Sequence, residues 1–66
     1  MNNLQRIRKE CGMSQGQLAE AAGISVRTLQ SYEQGHRDIN GMAGLTLYKL
    51  ANTLGVDMKD LLELEA

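Results

Sequence analysis

No proline interrupts these 66 residues, and neither phenylalanine nor tryptophan occurs among them. Without proline, no residue locks φ or removes a backbone donor, so no position is barred from a helix. Tyr32 and Tyr48 are the only aromatic residues, which argues against an extensive sheet, where aromatic side chains pack best. Cys11 stands alone, which excludes an internal disulfide and fits a reducing compartment. No stretch approaches the roughly 20 consecutive apolar residues that span a bilayer. Met1 to Glu10 are polar and charged where a secretory leader would be apolar, so the expected location is the cytoplasm, with no membrane partner. His36 is the only histidine and lies far from Cys11 in sequence, so no zinc-like ligand spacing exists. No metal, cofactor or small-molecule ligand is expected.

A strong net charge is missing as well. The formal charge is −1, so the domain-wide basic pI that usually marks nucleic-acid binding is absent. The distribution is more informative. Residues 1–37 set Arg6, Arg8, Lys9, Arg27 and Arg37 against Glu10, Glu20 and Glu33, a balance of +2. Residues 38–66 set Lys49 and Lys59 against Asp38, Asp57, Asp60, Glu63 and Glu65, a balance of −3. One end suits phosphate and the other does not.

What the chain does have is helix formers and their punctuation. Leu, Ala, Gln, Glu, Lys and Arg dominate. Gly12, Gly23, Gly35 and Gly55 each follow an amphipathic segment, where a helix stop is expected. Ser14-Gln15-Gly16-Gln17 has the form of a capping box, and Ser25 and Asp57 are good N-caps. These signals predict five helices, at about 2–11, 15–22, 26–34, 40–54 and 58–63. Leu4, Ile7 and Cys11 share one face of the first, with Cys11 read as a core filler. Leu47, Leu50, Ala51 and Leu54 share a face of the fourth, and Val56, Leu61 and Leu62 close the core from the C-terminal side. Gly41 and Gly44 weaken the start of the fourth helix. A chain this short forms one domain, and it buries only about 60% of the surface its unfolded form exposes.

Function points to residues 15–34. Two short segments, Gln15–Ala22 and Val26–Gln34, flank the tight connection Gly23-Ile24-Ser25, which is the helix-turn-helix arrangement. Ala19 must be small where the helices cross, and Leu18, Ile24, Leu29 and Tyr32 form the wedge that sets their angle. Further residues match a known family: Gly12-Met13-Ser14-Gln15, Leu18-Ala19, Ala22-Gly23-Ile24-Ser25, Thr28-Leu29, Tyr32-Glu33-Gln34-Gly35, Arg37, Leu50-Ala51, Leu54-Gly55-Val56 and Leu61-Leu62. The chain resembles the phage-repressor and Cro-type (Xre) helix-turn-helix family over roughly residues 4–62. It departs from the family at Arg37 to Gly44, where a proline is common, and at Leu45, where a polar residue is common.

The resemblance implies an all-α, compact five-helix bundle of the lambda-repressor-like DNA-binding type, with residues 1–66 as one domain around a central helix-turn-helix. It implies a recognition helix at 26–34 lying in the major groove. Val26, Arg27, Gln30 and Ser31 then face base edges, with Arg27 suited to guanine and Val26 to a thymine methyl. Helical geometry agrees, since it puts Leu29, Tyr32 and Glu33 on the opposite side. Gln15, Thr28, Gln34 and Arg37 correspond to phosphate-contacting positions, and Gln15 is also read as a cap of the second helix. Arg8 and Glu33 correspond to a structural ion pair. Arg27 also has a plainer reading as a solvated arginine, and His36 and Arg37 as no more than a polar turn.

Three functions compete. The first is a small, sequence-specific transcriptional regulator, a repressor or autoregulator, that binds double-stranded DNA as a homodimer on an inverted repeat. The second is a protein-interaction or antitoxin-like module that keeps the fold with weak or no DNA binding. It draws support from the acidic pI and from Leu45, Tyr48 and Leu64, which exceed the needs of one small core. An enzyme is not expected, because His36 lies in a polar turn and no serine has a nucleophile motif around it.

Overall fold

Residues 2–63 are described by a computed structural model, and its first three helices each begin at a side-chain cap. Asn2 Oδ1 accepts the Gln5 amide at 2.9 Å and opens α1, Asn3–Glu10. Ser14 Oγ accepts the Gln17 amide at 3.1 Å while Gln17 Oε1 accepts the Ser14 amide at 2.8 Å, a complete capping box for α2, Gln15–Ala22. Ser25 Oγ accepts the Thr28 amide at 3.0 Å and opens α3, Val26–Glu33. Such caps contribute about 1 kcal/mol each by satisfying orphan backbone donors. The last helix, α4, Gly44–Leu54, starts at Ala43 without a side-chain cap.

The stops fall where expected. Gly12, Gly23, Gly35 and Gly55 all have φ between +71° and +81°. Gly23 matters most, because it turns the chain between α2 and α3. At φ +72° it lets the Ile24 amide donate back to the Ala19 carbonyl at 3.0 Å, the closing bond of a Schellman-type turn.

Two expected helices are shorter than the periodicity implied. Residues 40–43 do not join α4. Ile39–Gly41 form a separate 3-10 turn capped by Asp38, whose Oδ1 accepts the Asn40 amide at 2.9 Å, and Met42 and Ala43 are extended. A 3-10 turn stacks positions three apart, so Ile39 and Met42 both reach the core, and Gly41 and Gly44 offer little to hold a longer helix. The expected fifth helix is also a 3-10 turn, Met58–Leu61. The described residues therefore hold four α-helices, two 3-10 turns and no strand. Cys11 is a further correction. It caps α1 beyond the last helical residue, is exposed, and points its thiol at the Leu54 carbonyl 3.7 Å away instead of filling the core.

The interior is one cluster centred on five fully buried leucines. Leu4, Leu18, Leu29, Leu50 and Leu61 come one each from α1, α2, α3, α4 and the last 3-10 turn. Five of the six segments thus each place one fully buried leucine in the same cluster. Ala19 is buried where α2 meets its neighbours, and α2 packs on both α3 and α4. Ile24, Val56 and Leu62 are half-buried against the cluster. The end of the described chain is tied down by side-chain amides. Asn40 Nδ2 donates to the Glu63 carbonyl at 3.0 Å and Asn40 Oδ1 accepts the Glu63 amide at 2.9 Å, while Asn3 Nδ2 donates to the Leu62 carbonyl at 2.8 Å. Leu64 lies outside the described residues. No helix among the described residues is long and apolar enough to cross a membrane.

Two glycines make a contrast. A Cβ at Gly23 meets nothing within 4 Å, so the cost of Gly23→Ala is backbone strain alone. Gly23→Ala is expected to destabilise by about 1–2 kcal/mol. Gly16→Ala, inside α2 and with only Ser14 Oγ 3.9 Å away, is expected to stabilise by up to about 1 kcal/mol. Urea denaturation of the two variants checks both signs.

Candidate nucleic-acid interface

The helix after the Gly23 turn, α3, is two-sided. Leu29, Tyr32 and Glu33 are buried, whereas Val26, Arg27 and Gln34 are exposed and Gln30 and Ser31 are half-buried. At 100° per residue, Val26, Gln30, Gln34, Arg27 and Ser31 lie on one continuous outward stripe. Val26 is 40% exposed, an apolar contact at the edge of a polar surface. Among the described residues Arg27 has no ion-pair partner.

Besides its core contacts, α3 is held by a buried ion pair. Arg8 Nε donates to Glu33 Oε2 at 2.7 Å and Arg8 Nη2 donates to Glu33 Oε1 at 3.1 Å, a bidentate arrangement. The two side chains are 8% and 0% exposed. The third guanidinium nitrogen is used too, since Arg8 Nη1 donates to the Met13 carbonyl at 2.8 Å. One arginine on α1 therefore fixes the C-terminal end of α3 and the segment that leads into α2. Fork-to-fork geometry gives such a pair its directional value. No buried side-chain polar atom among the described residues lacks a partner.

The predicted phosphate group divides. Gln15 is half-buried and engaged on both sides: Nε2 donates to Glu33 Oε1 at 3.0 Å, and Oε1 accepts from Gln30 Nε2 at 3.2 Å. It does not cap α2 through its side chain, a task that Ser14 and Gln17 perform. Thr28 is half-buried, and its hydroxyl lies 2.8 Å from that of Ser25 at the helix start. Gln34 and Arg37 are exposed after the end of α3. The Arg37 guanidinium sits over the Tyr32 ring, 5.3 Å from its centroid, which orders a cation beside the stripe. Sequence reasoning missed the Gln15–Gln30 bond and the Met13 carbonyl. The first carried one signal: the capping box already assigns its work to Ser14 and Gln17, leaving Gln15 free to turn inward.

The helix-turn-helix family model matches residues 4–61, from the second residue of α1 to the end of the last 3-10 turn. The chain belongs to the phage-repressor and Cro-type helix-turn-helix family. A curated relative, the uncharacterized HTH-type transcriptional regulator y4dJ of Sinorhizobium fredii, is 37% identical over 60 residues. The match covers 91% of this chain and 74% of the relative. In this helix-turn-helix domain, α2 and α3 are the two helices of the motif, and the stripe on α3 is the face turned away from the scaffold.

The ion pair carries a prediction. Arg8→Ala leaves the Glu33 carboxylate buried without its cation, so it is expected to cost about 3–5 kcal/mol. For a chain of this length that is comparable to a total stability on the order of 3–10 kcal/mol. Arg6→Ala breaks an exposed pair with Glu10 at 3.3 Å and is expected to cost about 0.3–0.5 kcal/mol. Thermal unfolding of both variants measures the gap.

Proposed function

We propose that this protein is a small transcriptional regulator that binds a specific double-stranded DNA sequence, with α3 in the major groove. The observation that carries the reading is the outward stripe on α3, largely polar and backed by the core, with Arg27 at its start and without an ion-pair partner among the described residues. A helix about 10–12 Å across fits a groove about 12 Å wide. Arg27 reads a guanine through O6 and N7, Val26 packs on a thymine methyl, and Gln30 and Ser31 take neighbouring bases. Gln34 and Arg37, with Thr28 and the N-terminus of α2 at Gln15, hold phosphates on either side. The name of the similar regulator from Sinorhizobium fredii supports the regulatory role.

The domain acts as a homodimer on an inverted repeat, with half-sites about 34 Å apart. Support comes from α4, where Leu45 is 66% and Tyr48 is 55% exposed, large apolar groups three positions apart. Regulation is by occupancy, as a repressor or autoregulator that blocks access to the DNA it covers. The same two residues favour the second reading, a protein-interaction or antitoxin-like module.

Salt separates the two, because affinity for DNA falls steeply with ionic strength and apolar association does not. Titration of duplex DNA is expected to show two different losses. Arg27→Ala costs about 1–3 kcal/mol and relaxes preference at one base pair, whereas Arg37→Ala weakens all sequences alike and lowers the salt slope by about 1. An Arg27→Ala protein with unchanged sequence preference would remove the basis for this assignment.

A further inference from the structure

We infer that the Arg8–Glu33 pair, through Gln15, fixes the orientation of the Gln30 amide, so that Gln15 and Glu33 are positioning residues for adenine readout by Gln30. The inference rests on the DNA-binding reading and adds to it a base and a set of residues that select it.

The chain of contacts has a direction imposed by chemistry. A carboxylate only accepts hydrogen bonds, and an amide has a donating and an accepting end. Glu33 is already charged and enclosed by Arg8, with its side chain fully buried. Gln15 must therefore turn its NH₂ group to Glu33 Oε1, at 3.0 Å. The reverse orientation would set the Gln15 oxygen against a buried carboxylate. With its nitrogen committed, Gln15 offers its oxygen outward, and Gln30 Nε2 donates to it at 3.2 Å. The polarity of the interior pair is thus passed on to a side chain on the outward stripe.

Gln30 keeps a defined remainder. One proton of Nε2 is bound to Gln15, leaving the other proton and Oε1 for a partner. That is the donor and acceptor pair matching N7 and the N6 amino group of adenine in the major groove. An unanchored glutamine presents either orientation and loses side-chain freedom on binding. Anchored through Gln15, Gln30 has lost that freedom before DNA arrives. Gln15 is consequently held by the protein at both ends of its amide, which makes orienting Gln30 its first task.

The test uses the full chain, with Gln15→Met, which removes both hydrogen bonds at similar volume, and Gln30→Ala. Binding sites are selected from random duplex DNA with the unaltered protein, and the base pair whose preference Gln30→Ala relaxes is identified. At that pair the unaltered protein is expected to favour adenine by about 5- to 150-fold. Gln15→Met is expected to bring this ratio toward parity while preserving preference at the pair read by Arg27, and to add nothing further in a Gln30→Ala background. A purely structural Gln15 would weaken all positions together. Side-chain amide relaxation of Gln30 in the free protein gives a readout without DNA: its order should fall in Gln15→Met. Gln15→Ser, which severs the same bonds near a helix start, repeats the test if the methionine variant misfolds.

Unchanged Gln30 order, an unchanged adenine ratio in Gln15→Met, or a selected base other than adenine at the Gln30 position would each overturn the inference and leave DNA binding standing. A protein that selects no sequence would instead overturn the DNA-binding reading, and the role in base readout with it, even if Gln30 order still depended on Gln15.

Discussion

The Arg8–Glu33 pair is the contact through which the interior of this domain controls its surface. Its two carboxylate oxygens and three guanidinium donors link α1, the segment before α2, and the end of α3. Removing two charges from water is costly, and apolar residues of similar shape would stabilise the fold at least as well. What they would not supply is direction. A bidentate pair has one good geometry, and here that geometry determines where the last turn of α3 lies.

Burial and capping complete what the pair begins. The five fully buried leucines come from five different segments and lie in one cluster. Ser14, Gln17 and Ser25 fix the first turns of both helices of the motif, and Gly23 fixes the angle between them. The consequence is a short helix of eight residues, too short to be stable in isolation, held rigid by its surroundings with one face free. That free face is the surface to which the proposed function assigns DNA contact. The exposed pair Leu45 and Tyr48 lies on α4, a different element, so the two candidate surfaces are separable.

Much of this was legible in the sequence wherever the cause is local. Caps at Ser14 and Ser25 and stops at four glycines are decided by residues within one turn, and the structure has them where expected. Local periodicity was less able to say where a helix ends. Cys11 keeps the spacing of Leu4 and Ile7 but falls past the end of α1, so it is exposed. Ile39 and Met42, three apart, satisfy a 3-10 turn as well as an α-helix, and the choice between them depends on the Asp38 cap and on weak helix formers nearby. Arg8 and Glu33 are 25 positions apart, and the resemblance to a family suggested their pairing where spacing could not. The Gln15–Gln30 bond joins different helices through flexible side chains; the capping box frees Gln15 to turn inward, but its partner is visible only in the fold.

In the proposed function, the outward stripe of α3, with the groups flanking it, is the surface that meets DNA. Backbone amide shifts of isotope-labelled protein, followed during titration with a selected duplex, test it directly. Changes are expected to concentrate at residues 26–31, at Gln15, and from Gln34 to Arg37. Changes confined to α4 around Leu45 and Tyr48, with α3 unaffected, would contradict it.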